Sequence, residues 1–197
     1  MRPEGLVAVC NDVIVNGRRR VVELGSGVST VLLARLLTRR HPAGGWRLAA
    51  VEHDASWAQR VSDQLDRENI GRHVSVVYAP LVAHPLAASG LLWYDEAAVT
   101  AGLDAMLRGD LIDLLVVDGP PAYAPGHGLA RYPALPVLQD RLAPAATVVL
   151  DDSDRPGEQE VVRRWERNTG LSFQRLPEPA RVAVATISST NSPAEHG

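Results

Sequence analysis

Three aspartates at two separate places could work together. Asp118 ends the apolar run 112–118, Asp151 ends the run 146–151, and Asp152 follows directly. If the two runs are neighbouring strands, three carboxylates converge on one crevice and repel one another unless something positive lies between them. A hard cation such as Mg²⁺ meets that need, with Asp118, Asp151 and Asp152 as its oxygen ligands. The alternative is that Asp118 simply faces a ligand and that residues 152–154 are the polar start of a helix. Residues 119–131, rich in Gly and Pro, form a loop that carries His127 and Arg131. An imidazole titrates near neutrality, so His127 is a candidate general base, or else an exposed loop histidine. Arg131 either binds an anionic ligand or pairs with an acid at a helix start.

A second group of residues suits binding. Val21-Val22-Glu23-Leu24-Gly25-Ser26-Gly27-Val28-Ser29-Thr30 reads as a strand running through a glycine turn into a helix. Glycines there let a ligand approach the main chain, and the free N–H groups of the helix start favour negative charge. Thr30 stands where a dinucleotide fingerprint requires its third glycine, and Glu23 precedes the turn, which argues against NAD.

The elements that position these residues follow from periodicity. Strand-length apolar runs recur at 20–24, 47–52, 73–78, 112–118, 146–151, 172–176 and 181–187, with helical spacing at 28–40, 55–69, 97–108, 132–142 and 156–168. This alternation predicts an α/β fold, a Rossmann-like doubly wound sheet that is mostly parallel. The runs near 112–118 and 146–151 are almost wholly apolar and belong at its centre. The short link 177–180 predicts an antiparallel C-terminal hairpin strand. Asp54 and Asp154 are expected as helix N-caps, Pro156 as a first-turn residue and Gly170 as a terminator. The loops 79–96 and 119–131 follow strand carboxyl ends, where open α/β sheets bind ligands.

Composition narrows the class. With 197 residues, 46% of them hydrophobic, the chain is expected to form one domain over 1–187 with a disordered tail over 188–197. No apolar run reaches the ~18 residues of a membrane span, so a cytoplasmic protein without membrane contact is expected. A net charge of -3 argues against nucleic acid as partner, leaving a small molecule. Arg18-Arg19-Arg20 is taken as a solvated helix end, and the lone Cys10 as a buried helix residue.

The turn Glu23-Leu24-Gly25-Ser26-Gly27 resembles the first motif of class I S-adenosylmethionine-dependent methyltransferases, acid-x-Gly-x-Gly, and the likeness extends over nearly the whole chain. It implies that Glu23, Gly25, Ser26, Gly27, Ser29 and Thr30 cradle S-adenosylmethionine. It also implies that Glu52 binds the ribose hydroxyls beside His53, and that Ala79, Pro80 and Leu81 lie against adenine. Tyr78-Ala79-Pro80-Leu81 lacks the polar residue that the family often has there. The aspartate trio is similar to that of the metal-dependent O-methyltransferases of the catechol and caffeoyl-CoA type, which implies Asp118 at the methyl-transfer centre and a Mg²⁺-assisted hydroxyl acceptor. Gly119-Pro120-Pro121 departs from the usual surroundings of that first aspartate. Trp93 and Tyr94 are expected either to wall the acceptor pocket or to fill the core. Two other readings use the same fold: an aminopropyltransferase-like enzyme and a non-catalytic cofactor-binding module. The short stretch before the first strand offers little chain for an acceptor lid, which a homodimer would supply.

Overall fold

Seven strands form the main sheet of the computed structural model, which describes residues 1–88 and 90–188. In chain order the elements are α1 (Pro3–Asn16), β1 (Arg20–Leu24), α2 (Val28–Arg40), β2 (Arg47–Glu52), α3 (Ala55–Arg67), β3 (Val74–Tyr78), β4 (Leu81–Ala83), β5 (Leu92–Tyr94), α4 (Glu96–Leu107), β6 (Ile112–Val117), α5 (Ala134–Leu138), β7 (Leu142–Leu150), α6 (Pro156–Thr169), β8 (Gln174–Arg175) and β9 (Ala183–Thr186). The sheet order is β3-β2-β1-β6-β7-β9-β8; β1, β2, β3, β6 and β7 run parallel to one another, and β9 pairs antiparallel with both β7 and β8. This is the Rossmann-like fold with an antiparallel C-terminal pair that the alternation predicts. The expected tail, 188–197, falls outside the described residues apart from Ser188.

Alternation along each strand sorts the core into two layers. Val22, Leu24, Leu115, Val117, Val148 and Leu150 face one side, under Val99 and Leu103 of α4, Leu135 of α5 and Trp165 of α6. Val21, Leu114, Val116 and Val149 face the other, under Val9 and Val13 of α1, Leu33 and Leu37 of α2 and Leu65 of α3. Burial on both faces explains why β1, β6 and β7 read as continuous apolar runs. Strand order reverses between β1 and β6, so the helices after these two strands diverge and open a crevice at their carboxyl ends.

Several local expectations change. The loop 79–96 contains the two-stranded hairpin β4–β5, with Val82 paired to Trp93, and α1 occupies the stretch before the first strand. The expected helix 132–142 shrinks to α5 and a 3₁₀ turn over 139–141, because β7 already begins at Leu142, opposite Ile112. Asp54 caps α3 by accepting from the Trp57 N–H at 2.9 Å, but Arg155 occupies the N-cap of α6 and Asp154 instead pairs with Arg181. Pro156 and Gly170 open and close α6 as expected. No helix among the described residues is long and apolar enough to cross a membrane.

Arg18 is not a solvated helix end. It is 7% exposed: its Nε donates to Asp12 Oδ2 at 2.8 Å, one terminal nitrogen to the Ala145 carbonyl at 2.8 Å and the other to the Thr147 hydroxyl at 2.5 Å, tying α1 to β7. Cutting one partner from a buried network leaves the others desolvated and unpaired. Arg18→Ala is therefore expected to lower unfolding free energy in urea by about 2–4 kcal/mol, whereas Arg19→Ala on the exposed neighbour changes it by no more than about 0.5 kcal/mol. Equal losses in the two variants would contradict this assignment.

Candidate active site

Each strand that enters the site ends by bonding to the next. The Gly25 N–H donates to the Val51 carbonyl at 2.8 Å, the Asp118 N–H to that of Leu24 at 2.9 Å and the Asp151 N–H to that of Val117 at 3.0 Å. Backbone bonds thus carry Glu52, Gly25, Asp118 and Asp151 to one edge of the sheet. Gly25 has φ +93°, and a Cβ there would lie 3.2 Å from the carbonyl of Asp118, so the residue type is dictated both by conformation and by the close approach of the two turns.

An open cleft of about 250 Å³ lies along this edge. That is close to the lower end of the ~300–1,000 Å³ of small-ligand sites. Gly25, Ser26, Ser29, Glu52, His53, Asp118 and Asp152 line it, together with Tyr94, Gly119, Pro121, Tyr123, Arg131 and Arg155. Glu23 and Thr30 are fully buried behind the lining, and Gly27 is the N-cap of α2. Asp151 is 2% exposed. Ala79, Pro80 and Leu81 lie outside the lining; Ala79 is buried and Leu81 packs on the core. His127 is exposed on its loop and does not line the cleft.

On the glycine-turn side, Glu52 organises the main chain. Its Oε2 accepts from the N–H and hydroxyl of Ser26 at 3.1 and 2.9 Å, and its Oε1 from the N–H groups of His53 and Asp54 at 2.8 and 3.0 Å. The Trp57 indole donates to the Ser26 carbonyl at 2.9 Å. Thr30, standing where a third glycine would be, accepts from the Gly27 N–H at 2.9 Å and donates to Glu23 Oε2 at 2.5 Å. Glu23 Oε1 has no hydrogen-bond partner, and burial pushes the carboxyl up to about 7, only partly offset by the neighbouring hydroxyls of Ser29 and Thr30.

On the other side, ligand oxygens of Asp118, Asp151 and Asp152 lie within 4.8 Å of one another, the juxtaposition that their strand ends predict. Burial and the Asp118 carboxylate push Asp151 well above the usual carboxylate range. An all-oxygen donor set suits a hard cation. However, positive groups already stand among these carboxylates. Arg131 Nη2 is 3.3 Å from Asp118 Oδ1 and 3.4 Å from Asp152 Oδ2, Arg155 Nη1 is 2.8 Å from Asp152 Oδ2, and the Met1 amino group is 2.5 Å from Asp118 Oδ2. The cluster as it stands does not fit an added divalent ion.

Sequence reasoning left Tyr94 between wall and core, and it serves both. It is fully buried, edge-on to Trp93, and lines the cleft, with its unpartnered hydroxyl beside Gly119, which has no side chain to obstruct it. Arg155 and the Trp57 indole were missed. Their roles depend on how the turns stack and have no local signature.

Residues 22–153 match a family model described as a methyltransferase domain. No curated protein matches the chain. Among solved structures, it is similar to the O-methyltransferase TomG of Streptomyces achromogenes, involved in tomaymycin synthesis and solved with SAM. The identity is 18% and the TM-score 0.67, covering 95% of this chain and 81% of that one. An O-methyltransferase from Bacillus cereus solved with SAH gives 18% and 0.64, covering 94% and 82%. A methyltransferase from Geobacter sulfurreducens gives 14% and 0.56, covering 96% and 80%.

The buried acid sets a pH dependence. A carboxyl whose folded pKa is raised contributes stability that is full below its unfolded pKa of about 4.5 and lost as pH rises through its folded value. Glu23→Gln mimics the protonated form, so between pH 4.5 and 7.5 the wild type is expected to lose of order 3 kcal/mol more urea stability than the variant. Parallel stability profiles would contradict the assignment.

Proposed function

The chain belongs to the methyltransferase-domain family, and on that premise we propose that it transfers the sulfonium methyl of S-adenosylmethionine to a hydroxyl oxygen of a small-molecule acceptor. The observation that carries this reading is one cleft lined by Gly25 and Glu52 on one side and by Asp118 on the other. Two structures of the same fold hold S-adenosylmethionine and S-adenosylhomocysteine, and both are O-methyltransferases by name, which supports the choice of cofactor and acceptor atom.

In this reading the Gly25-Ser26-Gly27 turn receives the methionine part of the cofactor. Glu52, a carboxylate able to accept from two adjacent hydroxyls, takes the ribose, replacing its present contact with the Ser26 hydroxyl. Tyr94 offers its unpartnered hydroxyl from the floor. The acceptor hydroxyl lies beside Asp118, which takes its proton as the oxygen attacks the methyl carbon in line. The C–O bond forms, the C–S bond breaks, and neutral S-adenosylhomocysteine leaves. The sulfonium supplies the reactivity, while the protein contributes alignment and proton removal. Mg²⁺ assistance, implied by the likeness of the aspartate trio, is one way to counter the charge on that trio. The protein's own guanidinium groups are the other, and the contacts of Arg131 favour them.

S-adenosylhomocysteine is expected to raise the Tm of the apo protein while NAD does not. Glu52→Gln should weaken S-adenosylhomocysteine binding about tenfold or more in calorimetric titration, the loss of a charged hydrogen-bond acceptor. Asp118→Asn should lower kcat about 10²–10⁴-fold with S-adenosylhomocysteine affinity within a few-fold of wild type. Absence of any binding of either S-adenosyl compound would remove the basis of the proposal.

A further inference from the structure

We propose that Arg131 stands in for a divalent cation at the Asp118–Asp151–Asp152 cluster, so that the cluster binds no metal ion and the acceptor side of the cleft works without one. The second half rests on the methyl-transfer reading above; the first half does not.

The guanidinium stands between Asp118 and Asp152, and the Met1 amino group, 2.5 Å from Asp118 Oδ2 and 3.4 Å from Asp151 Oδ2, stands on the other side of the cluster. Arg131 Nη2 lies 3.3 Å from Asp118 Oδ1 and 3.4 Å from Asp152 Oδ2, between the carboxylates of two strand ends. A Mg²⁺ ligated by both oxygens at about 2.1 Å would be pressed against this positive group. Nor is Arg131 free to swing away. Its Nε donates to the Pro120 carbonyl at 3.3 Å, Nη1 to that of Asp151 at 3.1 Å and Nη2 to that of Asp118 at 3.0 Å, with the side chain 4% exposed. These carbonyls belong to the two turns that carry the aspartates. The guanidinium therefore spans the turns as well as neutralising them, which a planar fork of donors can do and a flexible ammonium cannot. Withdrawing it would take this donor from three carbonyls and leave Asp118 to the Met1 amino group, and Asp152 and the buried Glu158, whose Oε1 is 3.7 Å from Nη1, to Arg155. Arg155 adds a second guanidinium, 2.8 Å from Asp152 Oδ2 and 3.6 Å from Glu158 Oε1.

The test is direct metal binding by the full chain, with Mn²⁺ as probe, followed by the electron paramagnetic resonance signal of the free ion. Wild-type protein is expected to leave Mn²⁺ free up to about 1 mM, weaker than a dedicated site of three carboxylates. Arg131→Met removes the charge and keeps the bulk; folded by circular dichroism, it is expected to bind Mn²⁺ at least about tenfold more tightly than wild type, and Asp152→Asn in that background to abolish the gain. A one-to-one Mn²⁺ site in the wild type that disappears in Asp152→Asn overturns the proposal. So does a folded Arg131→Met that binds Mn²⁺ no better than wild type. If Arg131→Met does not fold, the wild-type titration decides alone. Parallel titration with S-adenosylhomocysteine keeps the two readings apart, because loss of cofactor binding counts against methyl transfer and leaves the metal result standing.

Discussion

Carboxylates on adjacent parallel strand ends repel, and the cleft side of this molecule is organised around that repulsion. Because β6 and β7 run in register from Leu114↔Thr147 to Val117↔Leu150, the residues that follow them, Asp118 and Asp151, are forced side by side. The Asp151 N–H is bonded to the Val117 carbonyl at 3.0 Å, which keeps the backbones of the two aspartates adjacent. The fold answers with fixed positive charge. The loop after β6 turns back and brings Arg131 beneath its own starting turn, and α6 begins with Arg155 against Asp152. A guanidinium held by backbone carbonyls ties both turns together and shares the neutralisation of the aspartates with Arg155 and the Met1 amino group.

The opposite wall obeys a different constraint, close approach. Gly25 lies against the Asp118–Gly119 main chain, and Gly119 in turn leaves room for the Tyr94 hydroxyl. Two residues without side chains at the point where strand order reverses allow β1 and β6 to end within reach of one ligand. Glu52 then ties the glycine turn to the end of β2, accepting four hydrogen bonds from Ser26, His53 and Asp54. The glycine-turn half of the cleft is thus built mostly from main chain, and the aspartate half from charged side chains.

This division governs what could be read from sequence. Strand ends were legible because doubly covered strands are largely apolar, and Glu52, Asp118 and Asp151 stand where polarity returns at their carboxyl ends. The glycine turn was legible because its backbone demands a residue type. What sequence could not convey were contacts that depend on the path of a loop. Arg131 reaches carbonyls eleven to twenty residues away, and nothing in Gly128-Leu129-Ala130-Arg131 distinguishes it from a surface arginine. Arg18 read as solvated because its partners, Asp12 and Thr147, lie back along the helix it follows and on a strand 129 residues further along. His127 drew notice for its chemistry, yet its loop holds it in solvent, outside the cleft lining. Ala79, Pro80 and Leu81 sit behind the lining because the hairpin β4–β5 folds this segment against the core.

A crystal structure grown with S-adenosylhomocysteine and Mn²⁺, read by anomalous scattering at the manganese edge, locates cofactor, guanidinium and metal together. The ligand is expected along Gly25–Gly27 with its ribose on Glu52, Arg131 still bonded to the carbonyls of Asp118, Pro120 and Asp151, and no manganese peak among the aspartates. A manganese peak ligated by Asp118, Asp151 and Asp152 with Arg131 displaced, or S-adenosylhomocysteine bound away from the glycine turn, would contradict this arrangement.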